Sequence, residues 1–375
     1  MKEPSTIIEF IKLLKEHKIP ATEYKKYCDI FLDIKTRERK IPLYGKFELT
    51  PLCNLDCKMC YVHLDNKMYD NNKLLSIDTW KSLILQASEL GMLKASLTGG
   101  ECLTYHGFDE IYLFLRGLGI FTTVMSNGLL INRKRIDFFK QFPPNHIIIS
   151  IYGSSNDAYE AVTGHRVFDT VINNILLMRS ENLPIILTIT PNKYMEKDIR
   201  PLLELVESLD IPYNVNSNLI SPRKDTGRKK ADLSLEQYIE IYKIIKEIKN
   251  EILVPVDPSE LPSEGVSGSV KRGLTCGGGK NSFVIKYNGF MSPCPSLSEI
   301  SANAVDLGFL KAWETINALA GNYLLPVECN DCVYKSYCLT CVAVHKDAPR
   351  KGHCDRRICE RTKRLVQEGF IKISE

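Results

Sequence analysis

Two observations predict an α/β fold with six parallel strands in the middle of the chain and a smaller cysteine-rich domain after it. Short β-rich runs alternate with amphipathic helical patterns between residues 44 and 220. Thirteen cysteines fall mainly into two groups, three at 53, 57 and 60 and eight between 276 and 359, leaving Cys28 and Cys102 alone.

Taken in order, residues 1–42 read as a lead-in of one or two short helices, with Ile7, Ile8, Ile11, Leu13 and Leu14 at helical spacing and a charged link from Arg37 to Lys40. Strands are then expected at 44–50, 93–98, 121–126, 146–152, 184–190 and 212–220. Between the first two, Ser76 is placed to cap a helix whose stripe is Ile77, Trp80, Leu83, Ile84, Ala87 and Leu90, with Gly91 to end it. Phe168, Val171, Ile172, Ile175 and Met178 repeat that stripe in a later helix. Such alternation implies right-handed crossovers, in an open doubly wound sheet or a barrel, with working residues at the C-terminal ends of the strands.

A helix is expected from about Ser234 to Lys249, and the Pro- and Ser-rich VPVDPSELPSEGVSGS marks a boundary. The chain thus divides into a lead-in (1–42), the parallel sheet (43–222), a linker with a helix (223–262) and the cysteine-rich domain (263–375).

At 375 residues and 44% hydrophobic, the chain is long enough for this plan, and its net charge of +4 is mild and dispersed. That balance predicts neither nucleic-acid nor membrane binding. The basic stretch Lys224, Arg228, Lys229 and Lys230 reads as a solvated loop, with an acidic peptide as the other possible use. No apolar run approaches the roughly 18 residues of a membrane span, and the start MKEPSTIIEF is not a signal sequence. A cytoplasmic setting follows as an expectation. Its thiols would be reduced there, so metal ligation explains them better than a disulfide framework.

The segment LTPLCNLDCKMCYVH places Cys53, Cys57 and Cys60 in the loop after the first strand. Gaps of two to four residues let one loop wrap a cluster corner, and three thiolates on a four-iron cube leave one iron open. A zinc site with His63 as fourth ligand is the alternative. The spacing followed by Tyr61 resembles the signature of the radical S-adenosylmethionine superfamily, which implies a partial (β/α)6 TIM-like barrel over the six-strand region. The resemblance also implies that the open iron binds the methionine of S-adenosylmethionine and that a 5′-deoxyadenosyl radical then takes hydrogen from a substrate C–H.

Gly99, Gly100 and Glu101 after strand two look like the family's GGE motif, with Glu101 toward the methionine amino group. Ser126 and Asn127 after strand three and Ser150 at strand four stand where the family commonly makes polar contacts to the cofactor. Arg166 is the candidate clamp for its carboxylate, at a shifted spacing, and Thr163 stands about where many relatives carry arginine. Cys102 is a candidate hydrogen-atom donor, against the alternative of a packed small residue.

In the second group, Cys276 and Cys294 flank FVIKYNGFMSPC, which reads as a hairpin turning at Asn288 and Gly289 and would bring the two cysteines together. Cys329, Cys332, Cys338, Cys341, Cys354 and Cys359 follow. Eight thiolates match two four-iron cubes, and a pair of zinc sites is the alternative. The spacing resembles the SPASM extension of a subset of radical enzymes. This implies that Cys276, Cys294 and Cys341 serve one auxiliary [4Fe–4S] cluster and Cys329, Cys332, Cys338 and Cys354 another. Cys359 is then either the missing fourth ligand of the first auxiliary cluster, or that cluster keeps an open iron.

Enzymes of this resemblance mostly modify peptides. The expected activity is maturation of a ribosomally made precursor peptide by thioether or carbon–carbon crosslinking, ahead of epimerisation, with flavodoxin or ferredoxin as reductant. A small-molecule dehydrogenase or cofactor-biosynthesis enzyme is the other enzymatic reading, and a zinc-binding module the non-enzymatic one. Sulfatase maturation is disfavoured because Pro295 stands where those enzymes carry aspartate after the cysteine matching Cys294.

Overall fold

The structure is a computed structural model describing residues 6–62, 74–216, 231–249 and 276–371, the last span without 325, 330, 331, 335–337, 339–342, 344–353 and 355. The basic stretch at 224–230, the expected boundary at 254–269, His63 and Cys341 lie outside the described residues.

Six parallel strands form where the sequence predicts them: β1 (Tyr44–Glu48), β2 (Lys94–Thr98), β3 (Phe121–Ser126), β4 (His146–Ser150), β5 (Ile185–Ile189) and β6 (Tyr213–Val215). Among these six, each pairs only with its sequence neighbours, so they form an open arc with β6 at one edge of the sheet. Between these strands run α3 (Ile77–Glu89), α4 (Phe108–Gly117), α5 (Arg133–Gln141), α6 (Asn156–Thr163), α7 (Phe168–Ser180) and α8 (Ile199–Ser208). The Ser76 hydroxyl accepts from the Thr79 N–H as the expected N-cap of α3.

Side chains alternate across a strand, and registered neighbours share a face. One face carries Phe47, Leu97, Val124, Ile149 and Leu187, all fully buried. Trp80 of α3 meets Phe47 edge-on at 5.9 Å, and Phe283 meets the same ring from another side at 5.9 Å. Trp80→Ala is expected to cost about 3–5 kcal/mol, checked by chemical denaturation. The opposite face is polar at β1 and β2, where Lys46 and Ser96 stand in one row with Thr123, and Glu48 and Thr98 in another, and apolar farther on at Met125, Ile148 and Ile186. A parallel sheet sandwiched between helices would be apolar on both sides. The polar face marks the concave, ligand-facing interior.

The lead-in is more integrated than its sequence suggests. After α1 (Ile7–Glu16), α2 (Tyr24–Arg39) continues to Arg39 and closes on Lys40 in a left-handed conformation. The stretch from Arg37 is therefore a last helical turn and its cap, not a link, because Asp33 and Arg37 pair at 2.6 Å along the helix. Asp29 of α2 binds Lys94 at 2.9 Å, and Lys94 lies over the Tyr44 ring at 5.3 Å, so α2 covers the N-terminal end of the polar face.

The C-terminal part joins the same sheet. β7 (Ser282–Ile285) pairs in parallel with the free edge of β1, then β8 (Phe290–Ser292) and β9 (Ala302–Asn303) follow antiparallel, giving nine strands. The expected hairpin is present, with Gly289 at φ +84° in its turn. Asn281 donates to Asp33 at 2.9 Å and to the Thr36 hydroxyl at 3.0 Å. After the short α10 (Ala304–Leu307), α11 (Phe309–Gly321) brings Trp313, whose indole N–H donates to the Lys40 carbonyl at 2.8 Å. Finally α9 (Leu235–Lys249) packs on α12 (Arg356–Gln367) through Tyr238, Ile239, Tyr242, Leu365 and Phe370. Among the described residues no helix is long and apolar enough to cross a membrane.

Candidate active site at the strand ends

The three cysteines lie on a loop held by main-chain bonds rather than by the thiols themselves. Asp56 N–H donates to the Thr163 carbonyl at 3.0 Å and Lys58 N–H to the Val162 carbonyl at 2.9 Å, fixing the loop to the end of α6. Cys60 N–H closes a turn on the Cys57 carbonyl at 3.0 Å. Leu55, Met59 and Val62 are buried, which anchors the loop from below and leaves Cys53 and Cys60 half-buried.

Gly99 and Gly100 serve this loop directly. Gly100 N–H donates to the Thr50 carbonyl at 2.7 Å, and Glu101 N–H to the Leu52 carbonyl at 2.8 Å. A Cβ on Gly100 would stand 2.2 Å from the Leu52 carbonyl oxygen, and one on Gly99 2.4 Å from that of Thr50. The backbone approached by these glycines is the chain leading into Cys53. Gly100→Ala is expected to lose about 3 kcal/mol by overpacking rigid backbone, seen as a lowered Tm together with poorer iron loading.

Glu101 is fully buried, and its carboxylate is the centre of a network. It accepts from Asn127 N–H at 2.8 Å, Leu103 N–H at 3.1 Å and the Ser126 hydroxyl at 3.1 Å. Burial pushes its pKa up, while those three donors pull it back. The Asn127 amide donates in turn to Asn54 Oδ1 at 2.7 Å and lies 3.6 Å from the Cys53 sulfur. Strands two and three are thereby stitched to the cysteine loop. Asn127→Ala removes a donor to sulfur, and the potential of a cluster held by Cys53 is expected to move negative, as read by redox titration with electron paramagnetic resonance.

The remaining candidates separate. Ser150 bonds to Tyr152, a residue missed by sequence reasoning, whose phenol pKa is driven well above its usual value by burial and by the charges of Cys57 and Cys53. Its position two residues beyond Ser150 was the available signal. Thr163 is fully buried, its hydroxyl donating to the Tyr159 carbonyl at 2.7 Å. Arg166 does not face the strand ends. Past Gly164 the chain turns outward, and the exposed guanidinium pairs with Asp157 and Glu160 of α6. Cys102 is fully buried, with its thiol directed to the Met125 carbonyl at 3.3 Å, the arrangement of a packed small residue.

Lys46 and Glu48 were also missed, since both sit inside a β-rich run. On the polar face Lys46 is half-buried; desolvation depresses its pKa, opposed by the charges of Glu48 and Cys294. β1 therefore presents an amine that feels the charge of Cys294.

In that second group the hairpin does bring Cys276 and Cys294 together: a Cβ at Gly278 would lie 3.5 Å from the Cys276 sulfur and 3.9 Å from Cys294 Cβ. Cys359, expected as a possible partner of this pair, is elsewhere. Its sulfur lies 2.7 Å from that of Cys354, since the first turn of α12 carries it there. Burial raises the Cys329 thiol pKa, and the charges of Cys359, Cys338 and Cys332 add to it, so these side chains form one group with Cys354. The Thr362 hydroxyl lies 3.7 Å from Cys338 in the same group.

The first loop suits an iron–sulfur cluster. Burial raises the Cys53 thiol to about 12, with the Glu101 and Cys60 charges adding to it, so the thiolate is stable only against a cation. Among the described residues no three His, Cys, Asp or Glu side chains converge as ligands of a single metal ion. A cube binds its thiolates through separate irons, so three spaced thiols on one loop are compatible with it.

Residues 47–206 match the model of the radical SAM superfamily. The chain is 25% identical over 217 residues to Fe-coproporphyrin III synthase of Methanosarcina barkeri, covering 57% of this chain and 53% of that protein. It is 24% identical over 270 residues to the antilisterial bacteriocin subtilosin biosynthesis protein AlbA of Bacillus subtilis, covering 69% and 56% respectively. The chain thus spans little more than half the length of these curated relatives. Streptococcus suis SuiB bound to its precursor peptide SuiA shares the fold, with a TM-score of 0.68 at 17% identity over 94% of this chain and 87% of that one. The superfamily match runs from within β1 to within α8 with the cysteine loop inside it, so this part of the chain is a radical S-adenosylmethionine domain, and the [4Fe–4S] cluster and S-adenosylmethionine characteristic of that superfamily are its cofactors.

Proposed function

We propose that the chain matures a ribosomally made precursor peptide, forming a thioether or carbon–carbon crosslink, with epimerisation ranked below. The observation that carries this reading is the second cysteine group beside a polar sheet face. Cys276 and Cys294 flank the β7–β8 hairpin, which extends the sheet from β1, so a substrate over Lys46 and Glu48 lies beside Cys294 with the first cysteine loop following the same strand, and a two-electron oxidation has an exit for its electrons. The similarity to AlbA supports the peptide substrate.

In this reading Cys53, Cys57 and Cys60 hold the radical cluster. When bound, the cluster and S-adenosylmethionine supply a 5′-deoxyadenosyl radical that takes a hydrogen atom from the substrate. Glu101, Ser126 and Asn127 fix the two strand ends against the cysteine loop, and Gly99 and Gly100 allow their close approach. Tyr152 and Ser150 line the neighbouring strand end. Cys276, Cys294 and Cys341 serve one auxiliary site, and Cys329, Cys332, Cys338 and Cys354 the other, with Cys359 beside it. Flavodoxin or ferredoxin donates the starting electron, and the protein works in the cytoplasm.

The test is anaerobic reconstitution with dithionite and S-adenosylmethionine, followed by mass spectrometry of candidate precursor peptides. Loss of two hydrogens per event identifies a crosslink, while deuterium uptake without that loss identifies epimerisation. Unchanged peptides together with turnover of a small molecule would favour cofactor biosynthesis, the reading supported by the similarity to Fe-coproporphyrin III synthase. Sulfatase maturation remains disfavoured: Pro295 opens a tight helical turn directly after Cys294 and offers no carboxylate.

A further inference from the structure

Beside the strand ends, a cavity of about 290 Å³ opens between α8 and α9. Its floor is Met195, Ile199 and Ile241, all buried, and its rim is Glu196, Glu236 and Glu240, all exposed. Met195 belongs to a short turn just past β5, and Glu236 and Glu240 stand one turn apart on α9. None of the cavity's lining residues is a cation, and among the described residues the three glutamates form no ion pair. Two cations of the neighbouring segment are engaged otherwise. Arg200, which also feels Glu240, binds Glu247 at 2.8 Å, and Lys193 lies over the Tyr194 ring at 5.2 Å. The segment that lines the groove also touches the cysteine loop, since the Tyr194 ring lies 5.2 Å from the amine of Lys58, which stands between Cys57 and Cys60.

We propose that this groove docks a basic amphipathic segment of the peptide substrate. Apolar side chains enter against Met195, Ile199 and Ile241, while Lys or Arg side chains meet Glu196, Glu236 and Glu240. Charge complementarity selects this occupant. A chain of net charge +4 repels a cationic peptide overall, so a local set of three carboxylates, in no ion pair among the described residues, over an apolar floor directs it to one place. The inference rests on the peptide-maturase reading for its occupant, and it adds where that peptide is held relative to the cysteine loop.

The test uses the full-length reconstituted protein and a fluorescein-labelled synthetic peptide of leucine and lysine at helical spacing, with a leucine–glutamate peptide as counterpart. Fluorescence anisotropy should show saturable binding of the lysine peptide, roughly tenfold or more tighter than the glutamate peptide and weakening with salt. The variant E236K/E240K should lose roughly tenfold or more in that affinity, whereas E89K/E110K, the same charge change on α3 and α4, should not. Peptide-independent formation of 5′-deoxyadenosine should be unchanged in both, which shows that the cluster and cofactor sites survive. Equal binding of the two peptides, or equal losses in the two variants, overturns the proposal. So does a wild-type dimer in sedimentation that E236K/E240K dissolves while peptide binding is unaltered, because the groove would then belong to a second copy. Failure of the maturase reading looks different: the lysine peptide binds at the groove, yet no precursor peptide changes mass.

Discussion

Replacing Cys53, Cys57 and Cys60 together with alanine will abolish formation of 5′-deoxyadenosine and remove about four iron atoms per chain. The loop is held by Asp56 and Lys58 on the end of α6 and by buried Leu55, Met59 and Val62, none of which needs a thiol. The triple variant should therefore fold, with far-ultraviolet circular dichroism close to wild type. Iron analysis and anaerobic product assay on the same sample separate loss of the cluster from loss of the fold. Cleavage that persists in the triple variant would refute the assignment of the radical cluster to this loop.

Glu101→Ala will destabilise the chain and also prevent productive binding of S-adenosylmethionine. The substitution leaves Asn127 N–H, Leu103 N–H and the Ser126 hydroxyl buried with no acceptor at the carboxylate position. Each orphaned donor costs about 1–3 kcal/mol, and the three are coupled, so a total of at least about 3 kcal/mol is expected. Thermal unfolding of the cluster-free protein measures that structural share. Calorimetric titration of the reconstituted variant with S-adenosylmethionine measures the rest. A variant as stable as wild type would remove Glu101 from the centre of the network, and one that binds the cofactor normally would remove it from the cofactor site.

Most of the parallel sheet was legible in the chain because its strands are short β-rich runs separated by helices with clear stripes. The cap at Ser76, the hairpin turn at Gly289 and the helix after Ser234 are all local signals, readable over a few residues. Legibility failed where a side chain's neighbour lies far away in sequence. GGE reads as a loop that admits a ligand, yet the approached group is the backbone at Thr50 and Leu52. Arg166 reads as a clamp by its place after strand four, but the turn after α6 carries it outward to Asp157 and Glu160. Lys46 and Glu48 are single charges in a β-rich run, and only the register of β1 with β2 shows that they share a face with Ser96 and Thr98.

By itself, then, the sequence determined the six-strand rhythm, the three-cysteine loop after the first strand and the hairpin between Cys276 and Cys294. These depend on spacing and side-chain period within one segment. Tertiary structure alone decided that β7 extends the sheet from β1, that Cys359 lies with Cys354 rather than with Cys276 and Cys294, and that α2 covers the N-terminal end of the polar face. The physical reason is that a strand edge, a helix face and a thiol each have many possible partners in the chain. The choice is made by burying the whole set of apolar faces at once, a collective condition that no local pattern records.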